Sequence, residues 1–109
     1  MVLAIDFDGT LCVDRFPEIG EEIPNRIDAL KKLKQDGHKL ILWTCRQNDK
    51  LGKHLDNAVQ WCADRGLVFD AVNENLPEVK EKWGGDTRKV YCDYYIDDKS
   101  RPDSALDYM

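Results

Sequence analysis

The chain has 109 residues, of which 42% are hydrophobic and 34% charged, and this composition predicts one globular domain spanning residues 1–109. Sixteen basic and 21 acidic side chains give a formal net charge of −5, which argues against a nucleic-acid binder that works by neutralising phosphates. No apolar run approaches the ~20 residues of a membrane span, and no signal peptide is recognised, so the expected location is the cytoplasm.

Apolar runs and helical spacing alternate along the chain and give the predicted elements. In chain order these are a buried strand (2–7), a loop with Pro17 and Gly20 (11–22), a helix from Pro24 to Gly37, a strand (38–44), a helix with Leu51, Leu55 and Cys62 on its apolar stripe, a strand (67–72), a short helix (77–83) and a last strand (90–96) that is firmly extended only at 94–96. The tail after residue 99 is either one helical turn or disordered. The four cysteines are widely spaced, which is typical of small buried apolar residues and not of a zinc cluster.

Strands that alternate with helices predict an α/β fold, a three-layer Rossmann-like domain with a small parallel sheet in strand order 4-1-2-3. In such sheets ligands bind beyond the carboxyl ends of the strands. Each predicted strand ends in polar residues: Asp6 and Asp8, Thr44, Asn73 and Asn75, and Asp97 and Asp98. The asparagines are either substrate contacts or turn residues that bond their own backbone.

Carboxylates gathered at one sheet edge repel one another unless something positive lies among them. A set of oxygen ligands with no soft donor suits Mg²⁺. Two acidic residues that lie two positions apart after a strand can take separate roles in phosphoryl transfer: one attacks phosphorus and the other transfers protons. Phe7 between them points to the other side, and Gly9 permits the sharp exit from the strand.

Three segments resemble, in order, motifs of the haloacid dehalogenase-like phosphohydrolase superfamily: DFDGT at 6–10, LILWTCR at 40–46 and YYIDDKS at 94–100. The resemblance implies that Asp6 is the phosphoryl-accepting nucleophile and Asp8 the general acid and base. It implies that a Mg²⁺ site is formed by Asp6, Asp8 (through its backbone carbonyl), Asp97 and Asp98. It implies that Thr44 binds the phosphoryl group. Gly9, Thr10, Cys45 and Arg46 are further phosphate-binding candidates, and Arg46, two residues after Thr44, could equally be a surface residue.

The lysine of the family pattern has two candidates. Lys89 lies ahead of the last strand, but a fully extended chain would put it roughly 26 Å from Asp97, at ~3.3 Å per residue. It serves the site only if residues 89–92 turn back. Lys80, in the connection after the third strand, is better placed but is supported only by its spacing.

The expected function is a Mg²⁺-dependent phosphomonoester hydrolase that acts on a small phosphorylated substrate through an aspartyl-phosphate. Two alternatives are a non-catalytic metal- or phosphate-binding regulatory module of the same fold and a receiver-like signalling domain, which would need a lone acceptor Asp. The short spacing between motifs leaves no room for a cap domain, so we expect an open site. Either a homo-oligomer covers this site, or the activity of the protein is modest.

Overall fold

The structure is a computed structural model that describes residues 1–85 and 90–97. In chain order these residues form β1 (Val2–Ile5), β2 (Cys12–Arg15), β3 (Glu18–Glu22), α1 (Arg26–Gln35), β4 (Lys39–Leu42), β5 (Asn48–Asp49), β6 (Gly52–Lys53), α2 (His54–Asp64), β7 (Ala71–Val72), α3 (Pro77–Trp83) and β8 (Tyr94–Ile96). Within the described residues, no helix is long and apolar enough to cross a membrane.

The central sheet has four strands in the order β7-β4-β1-β8, and every pairing is parallel. The predicted α/β class and strand order 4-1-2-3 are therefore confirmed. In the register of the sheet, Ala4 of β1 lies between Ile41 of β4 and Tyr95 of β8. All four strands consequently deliver their carboxyl ends to the same edge.

Side chains alternate between the two faces of the sheet, and both faces are covered. Leu3 and Ile5 of β1 are fully buried in a core shared with α1 and α2. Ala4 and Ile41 point the other way and pack with Leu76 at the start of α3. This arrangement gives three layers and explains why β1 and β4 are almost continuously apolar.

The prediction of a loop at 11–22 is wrong, because β2 and β3 pair there as an antiparallel hairpin. Pro17 lies between the two strands, where no ladder N–H is required. Gly20 lies inside β3 because the strands approach closely: an added Cβ would lie 2.0 Å from the Val13 carbonyl oxygen. Pro17 and Gly20, which suggested a loop, thus form part of the β2–β3 hairpin. No larger cap is inserted between β1 and α1.

Three smaller predictions also differ from the structure. The second helix begins at His54, and the preceding residues form the β5–β6 hairpin, so Leu51 is 89% exposed at its turn and lies off the core stripe. The third strand is only Ala71–Val72, although Leu67 before it is buried. Cys45 is exposed, against the expectation that the cysteines are buried, whereas Cys12 and Cys62 fulfil it.

Candidate functional site

The carboxyl ends of β1, β4 and β8 surround a pocket with a volume of about 380 Å³. Asp6, the residue after β1, and Asp97, the residue after β8, both line this pocket. The Asp6 backbone N–H donates to the Ile96 carbonyl at 2.9 Å, which holds the ends of the two strands together. The Phe7 backbone N–H donates to Asp6 Oδ1 at 2.8 Å and thereby orients the carboxylate. Among the described candidate residues, this pocket brings together Asp6, Thr44, Cys45, Asn73 and Asp97.

A second pocket of about 420 Å³ adjoins the first, since Asp6, Thr44 and Cys45 line both. Its remaining lining comes from Asp8 and Arg46 and from two residues of the hairpin, Asp14 and Phe16. The candidate site is therefore one continuous depression that runs from the hairpin, across Asp6, to β8. Sequence reasoning missed the hairpin residues because it placed them in a loop.

Asp8 is held by a bidentate ion pair with Arg46. Arg46 Nε lies 2.8 Å from Asp8 Oδ2, and Arg46 Nη2 lies 2.8 Å from Asp8 Oδ1. The arginine side chain is only 1% exposed, whereas that of Asp8 is 16% exposed and borders the second pocket. Charge-assisted, two-point contacts of this kind fix direction as well as distance. The carboxylate of Asp8 is thus pre-oriented at the edge of the site.

Arg46 also ties the hairpin to the sheet. Its Nη1 donates to the Pro17 carbonyl at 3.2 Å, and its Nη2 donates to the Glu18 carbonyl at 3.0 Å. The guanidinium carbon lies 5.1 Å from the ring centroids of both Phe7 and Phe16, within the range of a cation–π interaction. Arg46 is therefore not a surface residue, and these N–H groups are directed at the protein's own oxygens. Its assignment as a phosphate contact stays a prediction.

Thr44 lies in a loop that is fixed by a residue of the neighbouring strand end. Its backbone N–H donates to Asn73 Oδ1 at 2.8 Å, and Asn73 Nδ2 donates to the Arg46 carbonyl at 3.4 Å. Asn73 adopts a left-handed backbone (φ 52°), which asparagine tolerates better than most residues. The Arg46 N–H donates to Thr44 Oγ1 at 3.1 Å, which leaves the hydroxyl proton to be donated elsewhere. Asn73 thus serves chiefly as a scaffold for this loop.

The chain turns sharply after Asp8, as the sequence predicts. Gly9 has φ 82°, and its N–H donates to the Cys12 carbonyl at 2.8 Å. Thr10 is buried, and among the described residues its hydroxyl has no hydrogen-bond partner. Neither residue lines the two pockets, and their assignment as phosphate contacts stays a prediction.

The lysine of the family pattern and the contribution of Asp98 to the metal site stay predictions. Lys80 Nζ lies 3.0 Å from Glu74 Oε2, and Lys80 is not among the residues that line the two pockets. Lys89 and Asp98 lie outside the described residues. Within residues 1–85 and 90–97, no three His, Cys, Asp or Glu side chains are grouped to hold a metal ion. The described carboxylates of the first pocket are those of Asp6 and Asp97.

The thiols differ strongly in their surroundings. Burial, reinforced by the nearby charge of Asp8, raises the pKa of Cys12 to about 11. Burial also raises the pKa of Cys62 to about 12. Cys45 is exposed and lines both pockets, so it is the thiol through which a reagent would reach the site.

Two aromatic side chains of the first pocket, Trp43 and Tyr95, were not predicted as site residues. The sequence carries a signal for them, because both lie on the same face of the sheet as Ala4, Trp43 directly after β4 and Tyr95 within β8. Period-two alternation would have placed both on that face, next to the polar residues at the strand ends.

Comparison with known proteins agrees with this geometry. The sequence model of haloacid dehalogenase-like hydrolases matches residues 3–64, which include β1 except Val2, the β2–β3 hairpin, β4 and all of α2. A solved structure from Bacteroides thetaiotaomicron, described as a conserved protein coded by locus, is 46% identical in sequence. The match covers 91% of this chain and 76% of the Bacteroides chain, and the two structures superimpose with a TM-score of 0.78. No curated protein matches the chain. The chain therefore belongs to the haloacid dehalogenase-like hydrolases.

Proposed function

We propose that this protein hydrolyses phosphomonoesters through a phosphoryl group carried on Asp6. The observation that carries the proposal is the meeting of Asp6, Thr44 and Asp97 at one pocket, with Asp8 oriented beside it. Family membership supports hydrolysis, and the oriented carboxylate of Asp6 at the end of β1 supports a covalent intermediate, since such a carboxylate is a competent nucleophile.

In the first half-reaction an Asp6 carboxylate oxygen attacks phosphorus, and the bond between phosphorus and the alcohol oxygen breaks. Asp8 delivers a proton to the departing alcohol. Thr44 Oγ1, which already accepts from the Arg46 N–H, donates its own proton to a phosphoryl oxygen. These roles need no rearrangement of the loop that Asn73 holds.

In the second half-reaction Asp8 takes a proton from water, the water oxygen attacks phosphorus, and inorganic phosphate leaves as the Asp6 carboxylate is restored. The pair with Arg46 is compatible with this proton transfer. A carboxylate has about four acceptor positions, and the guanidinium uses one on each oxygen. Arg46 can therefore stay bound to Asp8 while Asp8 transfers the proton.

The donor set of the site fits Mg²⁺. The carboxylates available in the first pocket belong to Asp6 and Asp97, and hard cations of this kind prefer oxygen ligands. Asp98 and the backbone carbonyl of Asp8 would complete the set that the family pattern implies. When bound, the ion would offset negative charge on the phosphoryl oxygens.

The test is phosphate release from a panel of phosphomonoesters, with Mg²⁺ and with a chelator, by wild type and by Asp6→Asn. We expect activity only with the metal, loss to background in Asp6→Asn, and a fall of about 10²–10⁴-fold in Asp8→Asn. Mass spectrometry of acid-quenched wild type should find one added phosphoryl group on the peptide that contains Asp6. Full turnover by Asp6→Asn would show that this mechanism is wrong.

One observation favours a second candidate, a metal- or phosphate-binding module without turnover. Both Asp8 oxygens are engaged by Arg46, and Lys80 is paired with Glu74. A silent panel together with binding of inorganic phosphate in the presence of Mg²⁺ would support that module instead.

A further inference from the structure

We propose that the pocket between β4 and β8 receives an aromatic ring of the substrate, so that preferred substrates are phosphomonoesters whose alcohol carries such a ring beside the phosphate. The inference rests on the proposed phosphomonoester hydrolysis and adds the class of leaving group. Its basis is the arrangement of Trp43, Ala4 and Tyr95 across three adjacent strands.

The pocket has a small floor and two aromatic sides. Ala4 is paired in register with Tyr95 of β8, and Trp43 lies two residues beyond Ile41, the partner of Ala4 on β4. The three side chains therefore share one face of the sheet. Because the central position is alanine, a gap is left between the two larger side chains. A leucine or isoleucine there, ordinary in a buried strand, would fill it.

The aromatic sides are held by their own contacts. The Tyr95 hydroxyl donates to the Val90 carbonyl at 3.1 Å, which fixes the direction of the ring. Trp43 is half-buried and packs against the core beneath α3. Neither ring has to be ordered when a ligand enters, which lowers the entropic cost of binding.

The pocket is continuous with the reacting groups. Asp6 and Thr44 line it together with the aromatic residues, so a ring here would lie directly beside a phosphoryl group on Asp6. Its volume of about 380 Å³ is within the roughly 300–1,000 Å³ of small-molecule sites. Asp6 and Asp97 make one end of the pocket acidic, which disfavours a second anionic group and favours a neutral ring.

The experiment measures binding and turnover of three probes: phenyl phosphate, adenosine 5′-monophosphate and glycerol 2-phosphate. Dissociation constants are measured by calorimetry on the Asp6→Asn protein, so that binding is read without turnover. We expect phenyl phosphate to bind at least about fivefold tighter than glycerol 2-phosphate, because the two aromatic sides contribute at least about 0.5 kcal/mol each, or roughly 1 kcal/mol together. Adenosine 5′-monophosphate tests where the ring lies: tighter binding than phenyl phosphate would overturn a ring directly beside the phosphate and would indicate a nucleoside, with the ring one sugar away.

Variants at β8 provide a matched series. Tyr95→Ala should weaken phenyl phosphate by about five- to tenfold and glycerol 2-phosphate by less than about twofold. Tyr95→Phe keeps the ring and should keep the preference. Tyr94→Ala is the control, because Tyr94 is the same residue type one position away, is 51% exposed and does not line the pocket. Ala4→Val should reduce ring binding by filling the floor.

The outcomes separate this inference from the proposed function. Equal binding of phenyl phosphate and glycerol 2-phosphate, or equal losses in Tyr95→Ala and Tyr94→Ala, would overturn the aromatic site even if both probes are hydrolysed. Selective binding of phenyl phosphate without turnover would support the site and contradict the hydrolysis. Absence of binding and turnover for all three probes would overturn both.

Discussion

Removing the guanidinium of Arg46 should destabilise the whole protein, and its effect should depend on Asp8. The side chain is 1% exposed and makes two 2.8 Å contacts to Asp8 as well as bonds to two hairpin carbonyls. Leaving one member of a buried ion pair without its partner costs about 3–5 kcal/mol. Asp8 borders a pocket that water can enter, so its unpaired charge should cost an amount near the lower end of this range. Loss of the hydrogen bonds to the Pro17 and Glu18 carbonyls adds to this cost. We expect Arg46→Met to lower the free energy of unfolding by about 4 kcal/mol.

The assay is equilibrium urea denaturation of wild type, Arg46→Met, Asp8→Asn and the double variant, with the midpoint and slope fitted for each. If the pair exists in solution, the double variant should lose less than the sum of the single variants, by a coupling energy of about 1–3 kcal/mol. Losses that add within about 0.5 kcal/mol would refute the reasoning, because additivity is the behaviour of independent sites.

A matched control is provided by the ion pair between Arg65 and Glu22. Its Nε–Oε1 distance is also 2.8 Å, but its side chains are 35% and 40% exposed. Exposed pairs contribute about 0–1 kcal/mol, so Glu22→Gln should change the free energy of unfolding by less than about 1 kcal/mol. A loss as large as that of Arg46→Met would mean that burial does not explain the difference.

Three further predictions concern buried and exposed groups around the site. Thr10→Val should leave stability unchanged or raise it by up to about 1 kcal/mol in thermal denaturation, since the buried hydroxyl has no partner among the described residues; a clear loss would contradict this. Cys45 should react first with a thiol reagent at neutral pH, because Cys12 and Cys62 are buried, Cys92 is half-buried, and burial raises the pKa of all three, so they remain protonated; a fast phase that persists in Cys45→Ser would contradict this. Asn75→Ala should cost about 1–3 kcal/mol in urea, because this buried side chain accepts a backbone N–H at 2.6 Å; a change below about 0.5 kcal/mol would count against that bond.

The central sheet was predictable because its strands carry information in two independent ways. β1 and the last three residues of β4 are apolar at successive positions, which marks strands buried on both faces. β1 runs directly into Asp6, and Thr44 follows β4 after Trp43. Those polar ends define one edge once the strands are parallel, so the meeting of Asp6, Thr44 and Asp97 follows from the topology. Long-range register did not have to be known.

The hairpins and the role of Arg46 could not be predicted by the same reasoning. β2 and β3 are short and mostly exposed, so they lack the apolar pattern that marks a buried strand. The partners of Arg46 at Pro17 and Glu18 are backbone carbonyls, whose positions depend on that hairpin and on no side-chain identity. The sequence therefore places Arg46 in the motif at 40–46 but does not indicate that it pairs with Asp8, 38 residues away. Lys89 and Asp98 lie outside the described residues, so these two site predictions remain untested.

The lengths of the sheet strands bear on how the molecule behaves at high concentration. In the described residues the inner strands β1 and β4 have four residues each, whereas the outer strands β7 and β8 have two and three. An outer strand offers unpaired backbone groups to another chain in proportion to its length. Among the described residues, the two ends of the central sheet therefore present little template for edge-to-edge aggregation.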